Sequence, residues 1–267
     1  MRPSNAIELP ARNKMPPTSE NDSSDSAPAP ANDAYEFSMA DMNAAQLSAA
    51  IASVPLSESD EELVQINLVG AAGQHAALMR LNHPVRLQVD GPLGDYAFAF
   101  NAQADTRLTG NVGMGVCEGM ISGAVRIRGD AGDGAGTAMI GGTLAVYGSA
   151  GNRCGAGMRG GGIFIRGNAG DETAVGALGG MIVIGGDAGE RLGDAMNNVT
   201  IFIRGRAKSL AEGVTEAPLR KREQLRLGLL LINASIRGDA KDFRRIVPQA
   251  MLEEELSNRS EVGPNWR

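Results

Sequence analysis

Between residues 85 and 207 the apolar positions of this chain keep a constant beat. One column runs Leu87, Thr106, Val125, Leu144, Ile163, Ile182 and Ile201, each 19 residues from the next. A second column, two residues on, runs Val89, Leu108, Ile127, Val146, Ile165, Ile184 and Ile203. Apolar residues at alternate positions, rich in Val and Ile, predict a strand buried on one face. Two residues further on stands a glycine each time: Gly91, Gly110, Gly129, Gly148, Gly167, Gly186 and Gly205. A second glycine follows three residues later (Gly94, Gly113, Gly132, Gly151, Gly170, Gly189), with Lys208 in the last place. A third set, Gly123, Gly142, Gly161 and Gly180, closes the repeat. Between the paired glycines, Leu93, Val112, Ala131, Ala150, Ala169, Ala188 and Ala207 supply one more inward position.

A period near 20 is the signature of a solenoid. A helix would not tolerate so many glycines and β-branched residues. One strand-and-turn unit cannot bury its apolar face alone. Stacked coil on coil, like residues form ladders in parallel register about 4.8 Å apart, and seven anchors span roughly 30 Å. Glycine suits the corners because they need positive φ and leave no room for a Cβ between closely stacked backbones. The pattern therefore predicts an all-β parallel β-helix with 19-residue coils; a barrel or sandwich would not explain the constant spacing.

The flanks read differently. Residues 1–34 hold Pro-Pro, Ser-Ser and alternating Ala-Pro with few large apolar residues, and are expected to be disordered. Residues 35–69 form an N-terminal cap, in which Met39, Met42, Leu47, Ala50 and Ile51 suggest a short amphipathic helix before Pro55. Within the cap, residues 63–68 alternate into Gly70-Ala71-Ala72-Gly73, an irregular first coil set 21 residues before Gly91. The β-helix is assigned to 70–208 and a C-terminal helical cap and tail to 209–267. There Leu219, Leu225, Leu227, Leu229, Leu230 and Ile232 read as a helix, and Phe243, Ile246 and Val247 as a second apolar group. Solenoid ends need covering because the last coil exposes an unpaired edge; docking to other subunits is compatible with that role.

Composition narrows the function classes. Two Cys in 267 residues exclude a disulfide scaffold, and a net charge of −6 argues against nucleic acid as the main partner. No apolar run approaches the roughly 20 residues of a membrane span, and no secretory signal opens the chain, so a cytoplasmic location is expected. A catalytic constellation is missing from the sequence. Gly155-Ala156-Gly157-Met158-Arg159-Gly160 spells G-x-G-x-x-G but sits inside the repeat with no helix after it. Cys117 and Cys154 read as small core residues, and His75 and His83, with no third His and no C-x-x-C, do not make a zinc site. No G-x-S-x-G occurs. Two features remain. Arg107, Arg126, Arg128, Arg166 and Arg204 form a basic stripe, either solvated charge or a face for an acidic partner or anionic substrate channel. Met120, Met139, Met158 and Met196, interrupted by Ala177, form a column that is either core or a pliable docking surface.

The repeated turns, as in Gly129-Asp130-Ala131-Gly132 with Gly142 and Gly167-Asn168-Ala169-Gly170 with Gly180, resemble the GXGXG family from about Ile66 to Val247. That family forms the right-handed β-helix of the glutamate synthase large subunit. It also forms the β-helical subunit of formylmethanofuran dehydrogenase and its formyltransferase/hydrolase relatives. Residues 67–75, 185–190 and 243–247 look most like the free-standing β-helical subunits of glutamate-synthase-type enzymes, such as that of N-methylglutamate synthase (methylamine–glutamate N-methyltransferase). The resemblance implies a structural subunit with no catalytic, cofactor or metal residues of its own. It implies two partners: a class II glutamine amidotransferase-like subunit, and a synthase-like subunit carrying FMN and iron–sulfur groups. A formyltransferase/hydrolase complex handling one-carbon units is the alternative partner set, and a self-assembling scaffold is a reading of a different class.

Overall fold

The computed structural model describes residues 35–57, 63–234 and 236–261. The expected disordered segment, 1–34, lies outside the described residues. From Tyr35 onward the chain builds a parallel β-solenoid whose strands line one continuous sheet. In chain order the strands are β1 (Tyr35–Ser38), β2 (Val64–Val69), β3 (Val85–Val89), β4 (Asp105–Leu108), β5 (Ala124–Ile127), β6 (Thr143–Val146), β7 (Gly162–Ile165), β8 (Gly180–Ile184) and β9 (Val199–Ile203). Each pairs in parallel with the next. From β3 to β9 the register follows the 19-residue period: Leu87 lies beside Thr106, Thr106 beside Val125, and so on to Ile182 beside Ile201. Between β2 and β3 the offset is longer, Val64 beside Val85, which is the irregular first coil.

Both predicted inward columns are buried along their whole length and belong to a single core. A second ladder runs parallel to it, through bridges linking Leu93, Val112, Ala131, Ala150, Ala169, Ala188 and Ala207 in turn. A third side closes each coil with residues alternating in and out of the left-handed region, such as Tyr96, Phe98 and Phe100 near φ +59 and Gly115, Cys117 and Gly119 near +60. The Met column, Met120, Met139, Met158 and Met196 with Ala177, fills the interior.

The glycines divide into two physical classes. Gly123, Gly142, Gly161 and Gly180 have φ between +81 and +106, a conformation that L-residues rarely adopt. The anchors from Gly110 to Gly205 do not have positive φ. At Gly148 an added Cβ would sit 2.7 Å from the carbonyl oxygen of Gly129, one coil back, and would also meet Asp130 Oδ1. Those anchors are glycine for close approach, not for backbone freedom.

The ends are closed by local elements. The segment before Pro55 holds strand β1 as well as helix α1 (Ala44–Ser53), so Met39 and Met42 precede the helix instead of lying on it. Asn43 caps α1: its side chain accepts from Gln46 N while Gln46 Oε1 accepts from Asn43 N, both at 3.0 Å. Leu47 and Ile51 of α1 join the interior core. At the other end, β10 (Val214–Ala217) leads into α2 (Lys221–Asn233), followed by β11 (Arg244–Pro248) and α3 (Gln249–Glu261). The group at Phe243, Ile246 and Val247 is thus part of a strand and its entry. β11 pairs antiparallel with β9 and β10 antiparallel with β11, so the last parallel edge is covered.

Candidate partner-docking faces

Strand alternation sends every second side chain outward, and the outer face of the sheet has two unlike halves. Over β6 to β9 it is apolar. Ala145, Phe164, Val183 and Phe202 form one column and are covered by Leu227 and Leu231 of α2 together with Ala234, Ile236, Ala240 and Phe243. This second core lies outside the solenoid. The C-terminal segment therefore does more than cover an edge: it adds a layer across four coils. A cavity of about 520 Å³ remains between α2 and this face, with Thr143, Gly162, Met181 and Thr200 on one side and Arg226 and Leu230 on the other.

Over β2 to β5 the same columns carry Gln65, Asn67, Arg86, Gln88, Arg107 and Arg126, exposed or half-buried. The basic stripe expected from sequence separates here into two sets. Arg107 and Arg126 stand side by side in register on β4 and β5, and Asp105 ion-pairs with Arg126 and, at 3.8 Å, with Arg86. Arg128 and Arg166 lie in a different column, two coils apart, with Tyr147 between them. Arg204 ends that column but is engaged: its Nε donates to Gly185 O at 2.7 Å and its guanidinium also binds Arg237 O, holding the C-terminal segment. The open, positively charged half is therefore built by Arg86, Arg107, Arg126 and Arg128, with Arg166 at its border.

The layer over the apolar half is fixed by an ion cluster. Arg245 of β11 is fully buried and makes a bidentate pair with Glu255 of α3, at 2.6 and 3.1 Å. Its Nε lies 3.1 Å from Glu223 of α2, outside hydrogen-bond geometry, so that contact is coulombic. Arg220 bonds both carboxylates, Glu223 at 2.8 Å and Glu255 at 3.0 Å. Burial raises the proton affinity of Glu223. Hydrogen bonds from the side chain and backbone of Arg220, with the charges of Arg245 and Arg220, outweigh that and hold its carboxyl below the usual range.

The remaining candidates fall away from any shared site. Cys117 and Cys154 are free thiols inside the core; burial pushes both up, Cys154 to about 12, which leaves neither with thiolate to offer. His75 is exposed beside Asp95, its Nδ1 accepting from Asp95 N at 3.0 Å, and His83 contacts Val54 O at 2.9 Å. Gly155 to Gly160 lies on the third side of a coil and precedes β7, not a helix. Among the described residues no cluster of three or more His, Cys, Asp or Glu is placed to hold a metal, and no helix is long and apolar enough to cross a membrane.

Two oxygen ladders were not anticipated. From Gly110 to Gly186 the residue after each anchor reaches one coil onward. Asn111 accepts from Asp130 N (2.9 Å), Asp130 from Ser149 N (2.7 Å), Ser149 from Asn168 N (3.1 Å), Asn168 from Asp187 N (2.8 Å) and Asp187 from Arg206 N (2.7 Å). Asp95, Asp133, Asn152 and Asp171 repeat this after the second glycine. Each oxygen passes where a Cβ on the next coil's glycine would sit. The signal was legible as Asp, Asn or Ser directly after a periodic glycine. Compared with family models, curated proteins and solved structures, the chain matches none, so the solenoid assignment stands on these ladders and registers alone.

Proposed function

We propose that this chain is a structural subunit of a glutamate-synthase-like complex, one that makes N-methylglutamate from glutamate and methylamine, or glutamate by ammonia transfer. The observation that carries the reading is the 19-residue coil register with its G-x-x-G turns, the feature on which the GXGXG resemblance rests. In this role the solenoid acts through geometry. Coil spacing is held by backbone hydrogen bonds on all three sides and by two side-chain ladders, so a partner on one coil is kept at a set distance from a partner on another. The open basic half of the outer sheet suits an acidic patch on a partner subunit. The amine-releasing and amine-using chemistry would belong to an amidotransferase-like subunit and an FMN/iron–sulfur subunit.

The test is a pull-down of the full chain from its native cells, with mass spectrometry and an absorbance spectrum of the eluate. An amidotransferase together with a flavin and iron–sulfur protein supports the reading, and activity with methylamine against ammonia then separates the two products. A colourless complex with a formyltransferase and a metal hydrolase would move the chain to one-carbon transfer. Recovery of the chain alone would remove both.

A further inference from the structure

Helix α2 is apolar on two opposite faces. Leu227 and Leu231 are 1% and 2% exposed against the outer sheet. Leu225, Leu229 and Ile232 point the other way and are 74%, 67% and 75% exposed. A surface helix ordinarily turns polar residues to solvent, and one that is apolar all round is covered all round. The exposed three are spaced by four and then three residues, the spacing of a helix–helix seam.

Gly228 is an independent sign that something packs there. It sits in the middle of α2, where glycine weakens a helix. Its φ is not positive, and a Cβ added to it would meet nothing within 4 Å. Nothing among the described residues calls for the missing side chain; a close neighbour packed against this face would.

The charges indicate which neighbour. Lys221 and Arg222 occupy the first turn of α2, and the last turn holds no basic residue. Glu223 in the same turn suits the helix dipole, but its carboxylate is taken up by Arg220 and Arg245, and the placement of the two cations is the reverse of what the dipole favours. It becomes favourable when the first turn lies beside the C-terminal end of another helix running the opposite way.

We propose that α2 is the seam of a symmetric homodimer, packed antiparallel against α2 of a second copy of this chain. A two-fold axis passing between residues 228 and 229 sets Leu225 against Ile232 of the second copy. The same axis lays Leu229 over the bare backbone at Gly228 of that copy. Arg222 then lies near the terminal carbonyls of the opposing helix. The helix is about 20 Å long, and its three exposed side chains offer roughly 300 Å² of apolar surface per copy. That area is the centre of an interface rather than the whole of one, so the pair is expected to dissociate in the micromolar range. The inference does not depend on the enzyme-complex reading, whose test above is separate.

Sedimentation velocity on the purified full chain, from about 1 to about 100 μM, tests it. The wild type should show a reversible monomer–dimer equilibrium. Leu229→Glu, and Gly228→Gln as a variant that favours the helix while filling the gap, should each raise the dissociation constant at least about tenfold. Both should keep the wild-type circular dichroism. Leu178→Glu, at an exposed apolar residue on another side of the coil, should leave dimerisation unchanged. A wild type that stays monomeric throughout overturns the proposal. A dimer indifferent to both α2 changes, or one lost with Leu178→Glu, overturns it equally by putting the contact elsewhere.

Discussion

Thr106 offers a measurement with a sign fixed in advance. It is the one polar member of its inward column, fully buried, with Leu87 and Val125 as its register neighbours. Among the described residues its hydroxyl has no hydrogen-bond partner. Valine has the same branching and almost the same volume, so Thr106→Val removes an unpaired buried hydroxyl and adds a methyl without repacking. Burying an unpaired hydroxyl costs about 1–3 kcal/mol, and one added methyl contributes about 0.8 kcal/mol. A gain of about 2 kcal/mol is expected after the unfolded chain's own burial is discounted. In a domain of this size that raises Tm by roughly 4–8 °C. The mirror change, Val125→Thr one coil on, should lose a similar amount. Urea unfolding followed by circular dichroism, with thermal melts on the same samples, reads both. The reasoning fails if Thr106→Val loses stability, which would mean that the hydroxyl is engaged, or if Val125→Thr is neutral.

Three further outcomes follow from the same geometry. Gly148→Ala should destabilise by about 2–3 kcal/mol, because its Cβ meets backbone one coil back, whereas Gly157→Ala, at φ +61 but in open space, should cost only about 1 kcal/mol; paired urea titrations check the difference. Cys117 and Cys154 should be silent to a thiol reagent in the native chain and both react once it is unfolded in denaturant, given their burial and raised pKa. Folded Glu223 holds its proton less tightly than an ordinary glutamate, so its stabilising effect is complete above the usual carboxylate range and is lost as pH falls through its lower folded value. Urea midpoints against pH should therefore fall more steeply below that range in the wild type than in Glu223→Gln.

Much of the solenoid could be read from the chain because its physics is repetitive. A strand column such as Leu144, Ile163, Ile182 shows itself when one face is dry in every coil, and so does the Ala131-to-Ala207 line. The glycine positions were visible too, but their cause was not. Positive φ and backbone crowding leave the same letter, and only the placement of Asp130 and Asn168 across Gly148 and Gly186 separates the two. The flanks were less legible because they occur once. Tyr35 to Ser38 becomes a strand by pairing with Ile66 to Val69, a partner about 30 residues away that no local pattern names.

The outer face was the least legible part, for a physical reason. Periodicity reports what faces the shared interior, since every coil meets the same environment there. Outward positions meet whatever covers that particular coil. Phe164 and Phe202 stand in the same column as Arg107 and Arg126, and the column turns from charged to apolar where α2 begins to cover it. The break in that column marks the boundary of an added layer, just as the unbroken inner columns mark the core. Applied to α2, the same logic treats Leu225, Leu229 and Ile232 as Phe164 and Phe202 would look with α2 removed: apolar residues whose cover is a separate element. For the two phenylalanines that element is α2 itself. For α2 no such element stands among the described residues, and the dimer experiment asks whether it is supplied by a second copy.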